Sequence, residues 1–238
     1  MQPNRFSIPL LRASVWSTEL LLQAIPGSLL EVASGAPETG FLDPMLRRRV
    51  GPLGRGMLHC AGRVAGDLGP LASVFASRHG DVTRTMPVLE DLARGLPPSP
   101  TQFSMNVQNA VAGVWSIARK DPSPSTSLAA GPETLGLGLL EAFALHEANP
   151  GEPLLFVYGD EPLPPLFSPF ADRELPLHAL ALLIGLPAVR RLVITREPGA
   201  NATSSPLPQS LHLLQALNSG EAQGPWTDGG GTWRWHVE

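Results

Sequence analysis

Residues 131–147 constrain this chain more than any other stretch. Leu135, Leu137, Leu139, Leu140, Ala142, Phe143 and Ala144 cover nearly the whole circumference of a helix drawn over them. A helix that is apolar on almost every side sits inside a core. Pro132 stands at a favoured first-turn position, and Glu133 lies beside the positive end of the helix dipole. Short strand-like runs bracket the helix, at residues 125–129 before it and 154–158 after it. Strand, buried helix, strand is the unit of a layered α/β fold with a parallel or mixed sheet.

The rest of the sequence extends that pattern. Residues 6–16 hold a first strand candidate. Residues 28–44, rich in Gly, Pro and small side chains, read as an irregular connection. Leu53, Met57, Cys60 and Val64 recur at spacings of three and four, which predicts a helix over 46–65, weakened at its start by Gly51, Pro52 and Gly54. Residues 71–76 predict a buried strand, and the polar loop 77–81 follows it. Residues 82–95 predict a helix with Met86, Leu89, Leu92 and Ala93 on one face and Gly95 at its end. Residues 103–119 carry Ala110, Ala112 and Gly113 where a helix would approach a neighbour closely. Residues 177–184 and 191–195 look like paired strands, and 208–217 like a helix. Residues 232–237 alternate Trp233, Trp235 and Val237 with Arg234 and His236, as a half-buried strand does. No internal repeat is present.

Composition narrows the function classes. A chain of 238 residues with 43 % apolar and 16 % charged residues can offset its ordering entropy by burial, so global disorder is excluded. The whole of 1–238 reads as one domain. The net charge of −4 leaves no broad basic face, which excludes nucleic acid as a partner. The one basic cluster, Arg47, Arg48 and Arg49, reads as a solvated helix start. A single cysteine, Cys60, makes no internal disulfide and suits a reducing compartment. The most apolar region, 175–193, is broken by Pro176, Gly185, Pro187 and two arginines, so no membrane span is expected. The start of the chain is a poor signal peptide, and the expected location is cytoplasmic.

A screen for chemistry finds little. His59 and Cys60 are adjacent, so on a helix they point about 100° apart and cannot share a metal ion. Cys60 lies on the apolar face and reads as a buried, inert thiol. No phosphate loop is present: Gly136 and Gly138 fall inside a helix, and Gly229, Gly230 and Gly231 read as a turn. No cofactor is implied. His79 stands in a loop directly after a strand, where α/β folds carry chemistry, with Asp81 placed to orient its ring. A structural role in the loop backbone is the alternative for this pair. Asp160 and Glu161 form a carboxylate pair at a strand end, or simply a polar end before Pro162.

Three segments in order resemble landmarks of the β-ketoacyl synthase N-terminal half. The first begins Ser99-Pro100 and runs through Asn106, Asn109, Ala112-Gly113 and Ser116-Ile117-Ala118. The second is Ser125-Thr126-Ser127-Leu128-Ala129-Ala130-Gly131, and the third is the strand 154–158 with its acidic turn. The core of the resemblance is about 45–165, with 166–238 adding strands and a helix that complete the domain. The chain is also similar to short, chain-length-factor-like proteins of aryl polyene-type clusters. That likeness rests on Arg48 with Arg49, Pro52 to Arg55, Phe75 to Gly80, and Asp160 to Pro164. The implied fold is α/β and thiolase-like, with a layered mixed sheet and a buried central helix.

The departures from the resembled family bear on function. Active synthases carry a nucleophilic cysteine at the strand-to-helix junction; here that position falls at Ala129 or Ala130, and the gap-free offset favours Ala130. Alanine forms no thioester. The family's two decarboxylating histidines belong to a C-terminal half, and the stretch after Pro164 is too short for one. The resemblance therefore implies a non-catalytic subunit paired with a catalytic β-ketoacyl synthase in type II fatty acid or polyketide synthesis. It would meet acyl carrier protein only indirectly. By position, Phe103, Met105, Val107 and Asn109 fall at the partner's acyl tunnel, with Val107 as the lining or gating residue. Ser125, Thr126, Ser127 and Leu128 fall at the subunit interface. Two other readings stay open. One is a self-associating scaffold using the same strand; the other is a divergent acyl-processing enzyme using His79 and Asp81. Trp226, Trp233 and Trp235 read either as core or as a partner surface.

Overall fold

The computed structural model describes residues 4–19, 21–171, 176–188, 190–198, 208–220, 225–227 and 231–238. The strands are β1 (Asn4–Ser17), β2 (Leu30–Ser34), β3 (Ala72–Ala76), β4 (Ser125–Leu128), β5 (Leu154–Asp160), β6 (His178–Ile184), β7 (Arg190–Pro198), β8 (Trp226–Thr227) and β9 (Gly231–Val237). The helices are α1 (Pro44–Arg49), α2 (Pro52–Ala65), α3 (Val82–Ala93), α4 (Pro100–Phe103), α5 (Ala110–Arg119), α6 (Thr134–Ala148) and α7 (Gln209–Ser219). The strands form one mixed sheet in the order β4-β3-β5-β6-β1-β7-β9-β8, with β2 beside the second half of β1. The pairs β4-β3-β5 are parallel, and the ladder from β5 to β8 is antiparallel. This is the layered α/β, thiolase-like arrangement with a mixed sheet.

Two apolar cores lie on opposite faces of the sheet. Successive strand residues point to opposite faces, so Val74 and Ala76 meet α6 while Phe75 faces α2 and α5. The first core holds α6, α7, Trp226, Trp233 and Trp235. The second holds α2, α5 and Trp16. β6 lies mid-sheet between β5 and β1 and is buried at every residue, which matches its unbroken apolar sequence.

Several expectations change. Residues 177–184 and 191–195 are strands but do not pair with each other. The longer β1 lies between them, pairing β6 through residues 10–17 and β7 through residues 4–10. The irregular connection 28–44 contains β2, which adds in parallel to Ala13–Ser17 and was masked by its Gly-rich flanks. The helix 46–65 is two helices. Asp43 caps α1 by accepting from the Met45 and Leu46 amides, and Pro52 opens α2, which disfavours helical backbone at Gly51. The arginine cluster therefore ends α1, where positive charge suits the dipole, and does not start a helix. On α3, Val88 is the buried residue, while Leu89 and Leu92 are 46 % and 53 % exposed, so the expected face is turned outward. The three tryptophans are buried, which settles them as core.

Buried histidines tie the layers together. His178 Nδ1 donates to the Pro176 carbonyl at 3.0 Å, and its Nε2 accepts from the Ser210 hydroxyl at 2.8 Å. His59 Nδ1 accepts from the Glu38 amide at 2.9 Å. Burial lowers both rings below the ordinary value of 6.5. The unfolded chain then binds more protons below pH 6.5, so stability is complete above that pH and falls as the pH drops toward the folded values. Each ring contributes a slope of at most about 1.4 kcal/mol per pH unit. The melting temperature should fall between pH 7.5 and 5.5, and His178→Asn should flatten that dependence. A wild-type melting temperature that holds level across this range would refute the linkage.

Candidate functional site

β4 runs directly into the junction where the sequence places the lost nucleophile. Ala130 has φ −145°, and Gly131 has φ +58°, a left-handed conformation that glycine adopts without strain. A 3₁₀ turn, Gly131–Glu133, then leads into α6. The junction is therefore a sharp strand-to-helix elbow. Its amide is already engaged: Ala130 N–H donates to Thr134 Oγ1 at 2.9 Å, and that hydroxyl donates to the Gly131 carbonyl at 2.6 Å. The elbow thus has neither a thiol nor, at Ala130, a free N–H to hold a carbonyl oxygen.

α6 is not enclosed on all sides. Leu135, Leu139 and Ala142 are buried, but Leu140 is 39 % exposed and Ala144 is open to solvent. Thr126 Oγ1 donates to Glu141 on the same helix at 3.4 Å, which ties β4 to this side of α6. On the other sheet face, Ser125 pairs with Ser73 through their hydroxyls at 3.0 Å, and α5 packs on β3 and β4. Ser127 Oγ is buried without a partner. Ile117 of α5 is 69 % exposed, and a side chain on Gly113 would meet open space. The close approach expected at Gly113 is therefore not made within the described residues. Among the described residues β4 pairs only with β3, so it forms an edge of the described sheet.

An open cleft of about 720 Å³, solvent at its mouth included, lies at the C-terminal end of β3. Its walls are the start of α2, the loop after β3, the first turn of α3 and the segment from Met105 to Val111. It brings together His79, Asp81, Met105 and Val107. Phe103, Asn109, Ser125, Thr126, Ser127, Leu128, Ala129 and Ala130 do not line it. Leu53, Met57 and Phe75 supply apolar wall. In the sequence they read only as core faces, because no local signal says that a loop from 50 residues downstream will leave a gap above them.

The polar groups of the cleft are mostly spent on the fold. Asp81 caps α3 by accepting from the Arg84 amide at 3.3 Å. Burial raises the Asp81 carboxyl above its usual value, with Arg84 opposing the rise. Asn106 Nδ2 donates to the Arg84 carbonyl at 3.4 Å, and Arg84 donates to the Arg49 carbonyl. Asp160 accepts from Ser77 Oγ at 3.2 Å, from the Arg78 amide at 3.0 Å, and from the Tyr158 hydroxyl. Glu161 accepts from the Thr83 amide at 2.9 Å. The carboxylate pair at this strand end is thus structural. Among the described residues, no group of three His, Cys, Asp or Glu side chains is placed to hold a metal ion. Cys60 is buried on α2, donates to the Ala179 carbonyl, and has its thiol pushed up to about 12 by burial. Gly229 and Gly230 lie outside the described residues.

A mixed αβα fold with a strand-to-helix elbow is the architecture in which ketosynthase-type proteins are built, and the family match decides among the proteins that share it. Residues 23–236 match the family model of the β-ketoacyl synthase N-terminal domain, and the chain belongs to that family. Among solved structures, it is similar to a chain of the ketosynthase ApeO in complex with its chain length factor ApeC from Xenorhabdus doucetiae. The two are 29 % identical with a TM-score of 0.73, over 85 % of this chain and 83 % of that one. The ishigamide ketosynthase/chain length factor shares the fold at 13 % identity and a TM-score of 0.61, over 82 % of this chain and 68 % of that one. So does a β-ketoacyl synthase from Burkholderia phymatum, at 12 % and 0.56, over 87 % and 62 %. No curated protein sequence matches the chain.

The elbow chemistry is testable. Wild-type protein should resist alkylation by iodoacetamide in the folded state, because Cys60 is its one thiol and is buried. Ala130→Cys should gain a single carboxamidomethyl group by mass spectrometry, yet condense no acyl and malonyl thioesters. Product formation by Ala130→Cys alone would show that the elbow retains catalytic competence.

Proposed function

We propose that this chain is the non-catalytic, chain-length-factor-like subunit of a type II fatty acid or polyketide synthase of aryl polyene type, paired with a catalytic β-ketoacyl synthase. One observation carries the reading: among the described residues β4 pairs with β3 alone, α5 packs against it, Thr126 ties it to Glu141 of α6, and both helices keep an exposed apolar residue, Ile117 and Leu140. A second αβα protein can continue all three layers across such an edge. Natural sheet edges are guarded by Lys, Pro or inward charge, and β4, Ser125-Thr126-Ser127-Leu128, has none of these. The similarity to a ketosynthase–chain length factor complex supports the same partner. The whole of 1–238 acts as one domain, with 166–238 completing it, and works in the cytoplasm. No helix of the described residues is long and apolar enough to cross a membrane. Acyl carrier protein reaches the chain only through the synthase.

In this reading the cleft side of the segment after α4 meets the partner's acyl tunnel. Val107 is 42 % exposed at the cleft, with Met105 beside it and Phe103 farther out. Its branched side chain bounds the space left for an acyl chain.

Co-expression with a catalytic ketosynthase should give a stable 1:1 complex on size-exclusion chromatography, and Leu140→Asp should dissociate it. A homodimer that excludes the synthase would instead support the scaffold reading, in which β4 pairs with a second copy. In the assembled complex, Val107→Trp should shorten the products read by mass spectrometry. Unchanged length in an intact complex would remove Val107 from the tunnel.

A further inference from the structure

Glu133 lies in the turn between the elbow and α6 and is mostly buried. Its Oε1 accepts from Arg196 Nε and its Oε2 from Arg196 Nη2, each at 3.0 Å, a bidentate pair reaching to β7. Oε1 also accepts from Trp233 Nε1 of β9 at 2.8 Å. Burial alone would raise this carboxyl, but the Arg196 and Trp233 hydrogen bonds hold it below the usual range. The Arg196 guanidinium stacks 5.6 Å above the Trp233 ring.

The contacts continue into a closed circuit. Trp233 stacks on Trp235 at 5.9 Å, and Trp235 Nε1 donates to His212 Nδ1 of α7 at 2.7 Å. α7 returns to α6, where Gln209 Oε1 accepts from the Gly136 amide at 3.0 Å. The circuit encloses the first turn of α6, and the Trp233 ring fills the place of a side chain at Gly136. Its members come from residues 133, 136, 196, 209, 212, 233 and 235, so the far end of the sequence grips the elbow.

We infer that Glu133, Arg196 and Trp233 are positioning residues that hold the β4–α6 edge in its docking geometry, so that β7 and β9 govern partner binding without touching the partner. The inference rests on the reading of β4 and α6 as the partner-facing edge. Leu140 lies about one turn and a half beyond the gripped turn of α6. A rotation of α6 about its axis would carry Leu140 off the edge and strain the Thr126–Glu141 contact that links the helix to β4.

The test titrates full-length Arg196→Ala, Arg196→Lys and Glu133→Gln against the catalytic ketosynthase, with Leu140→Asp alongside. Arg196→Ala and Glu133→Gln should weaken association by about tenfold or more while the far-ultraviolet circular dichroism stays that of wild type. Arg196→Lys, which keeps the charge but loses the planar fork, should fall between them and wild type. Amide exchange should quicken at residues 128–140 in the two weaker variants and stay unchanged in β5 and β6. Should Arg196→Ala unfold, Glu133→Gln decides, because it keeps the shape of the side chain. Folded clamp variants that bind within about twofold of wild type would overturn the clamp while leaving the docking edge standing. Normal binding by Leu140→Asp would overturn the docking edge and the clamp with it.

Discussion

The first turn of α6 has no spare room, and much of the structure depends on that. A side chain at Gly136 would lie 2.7 Å from the Trp233 ring, so the helix backbone rests directly on the indole. Fully burying an aromatic of this size is worth on the order of 2–3 kcal/mol in apolar area, and the indole N–H must then find an acceptor. Glu133 supplies that acceptor, and Arg196 balances its charge. One contact thus joins the helix, the elbow before it and the paired strands β7 and β9. α7 is drawn in by the same logic, because Trp235 needs an acceptor too and finds His212.

The same tight start of α6 bears on chemistry. A helix N-terminus normally offers free amides that stabilise anions and activate nucleophiles. Here two of the amides at the elbow and in the first turn are engaged internally, Ala130 by Thr134 and Gly136 by Gln209. Placing a thiol at the elbow would therefore restore a nucleophile without its electrostatic setting. The elbow keeps the shape of a catalytic junction while the Ala130 and Gly136 amides serve the fold. Shape is what a docking edge needs, since β4 and α6 must keep their relative pose for a neighbour to continue both layers.

The sequence made the local units legible and left their assembly hidden. The buried helix, the strands on either side of it and the terminal Trp233/Trp235 strand follow from periodicity, which reports the face a residue presents. The pairing of β1 with both β6 and β7 does not follow, because nothing in residues 4–17 says that each half will take a different neighbour. The outward face of α3 misled for a related reason. Its leucines repeat as a core stripe does, and periodicity cannot tell a stripe that meets a core from one that meets solvent or another chain. Of the site, the elbow was legible as a motif, because a strand-like run, a glycine and a helix start lie next to each other in the sequence. The cleft was not, because its walls come from four separate elements. From its neighbours in sequence, Glu133 shows only as a partner of the helix dipole. Its ion pair with Arg196 spans 63 residues and leaves no local trace.

The two ends of the sheet show how the fold separates a closed edge from an open one. At one end the described part of β8 is Trp226 and Thr227, both buried. The neighbouring β9 carries Arg234 and β7 carries Glu197, a charged pair that suits a solvated face. At the other end β4 is uncharged, with hydroxyl side chains that add no steric block and a buried Ser127 hydroxyl with no partner. An unsatisfied buried hydroxyl costs about 1–3 kcal/mol, and an unpaired strand edge invites aggregation. The β8 end thus offers two buried side chains, whereas the β4 end leaves outward backbone groups without a strand partner among the described residues. Covering β4 would pair its outward backbone. The asymmetry of the two edges is therefore the physical reason to read this chain as half of an assembly.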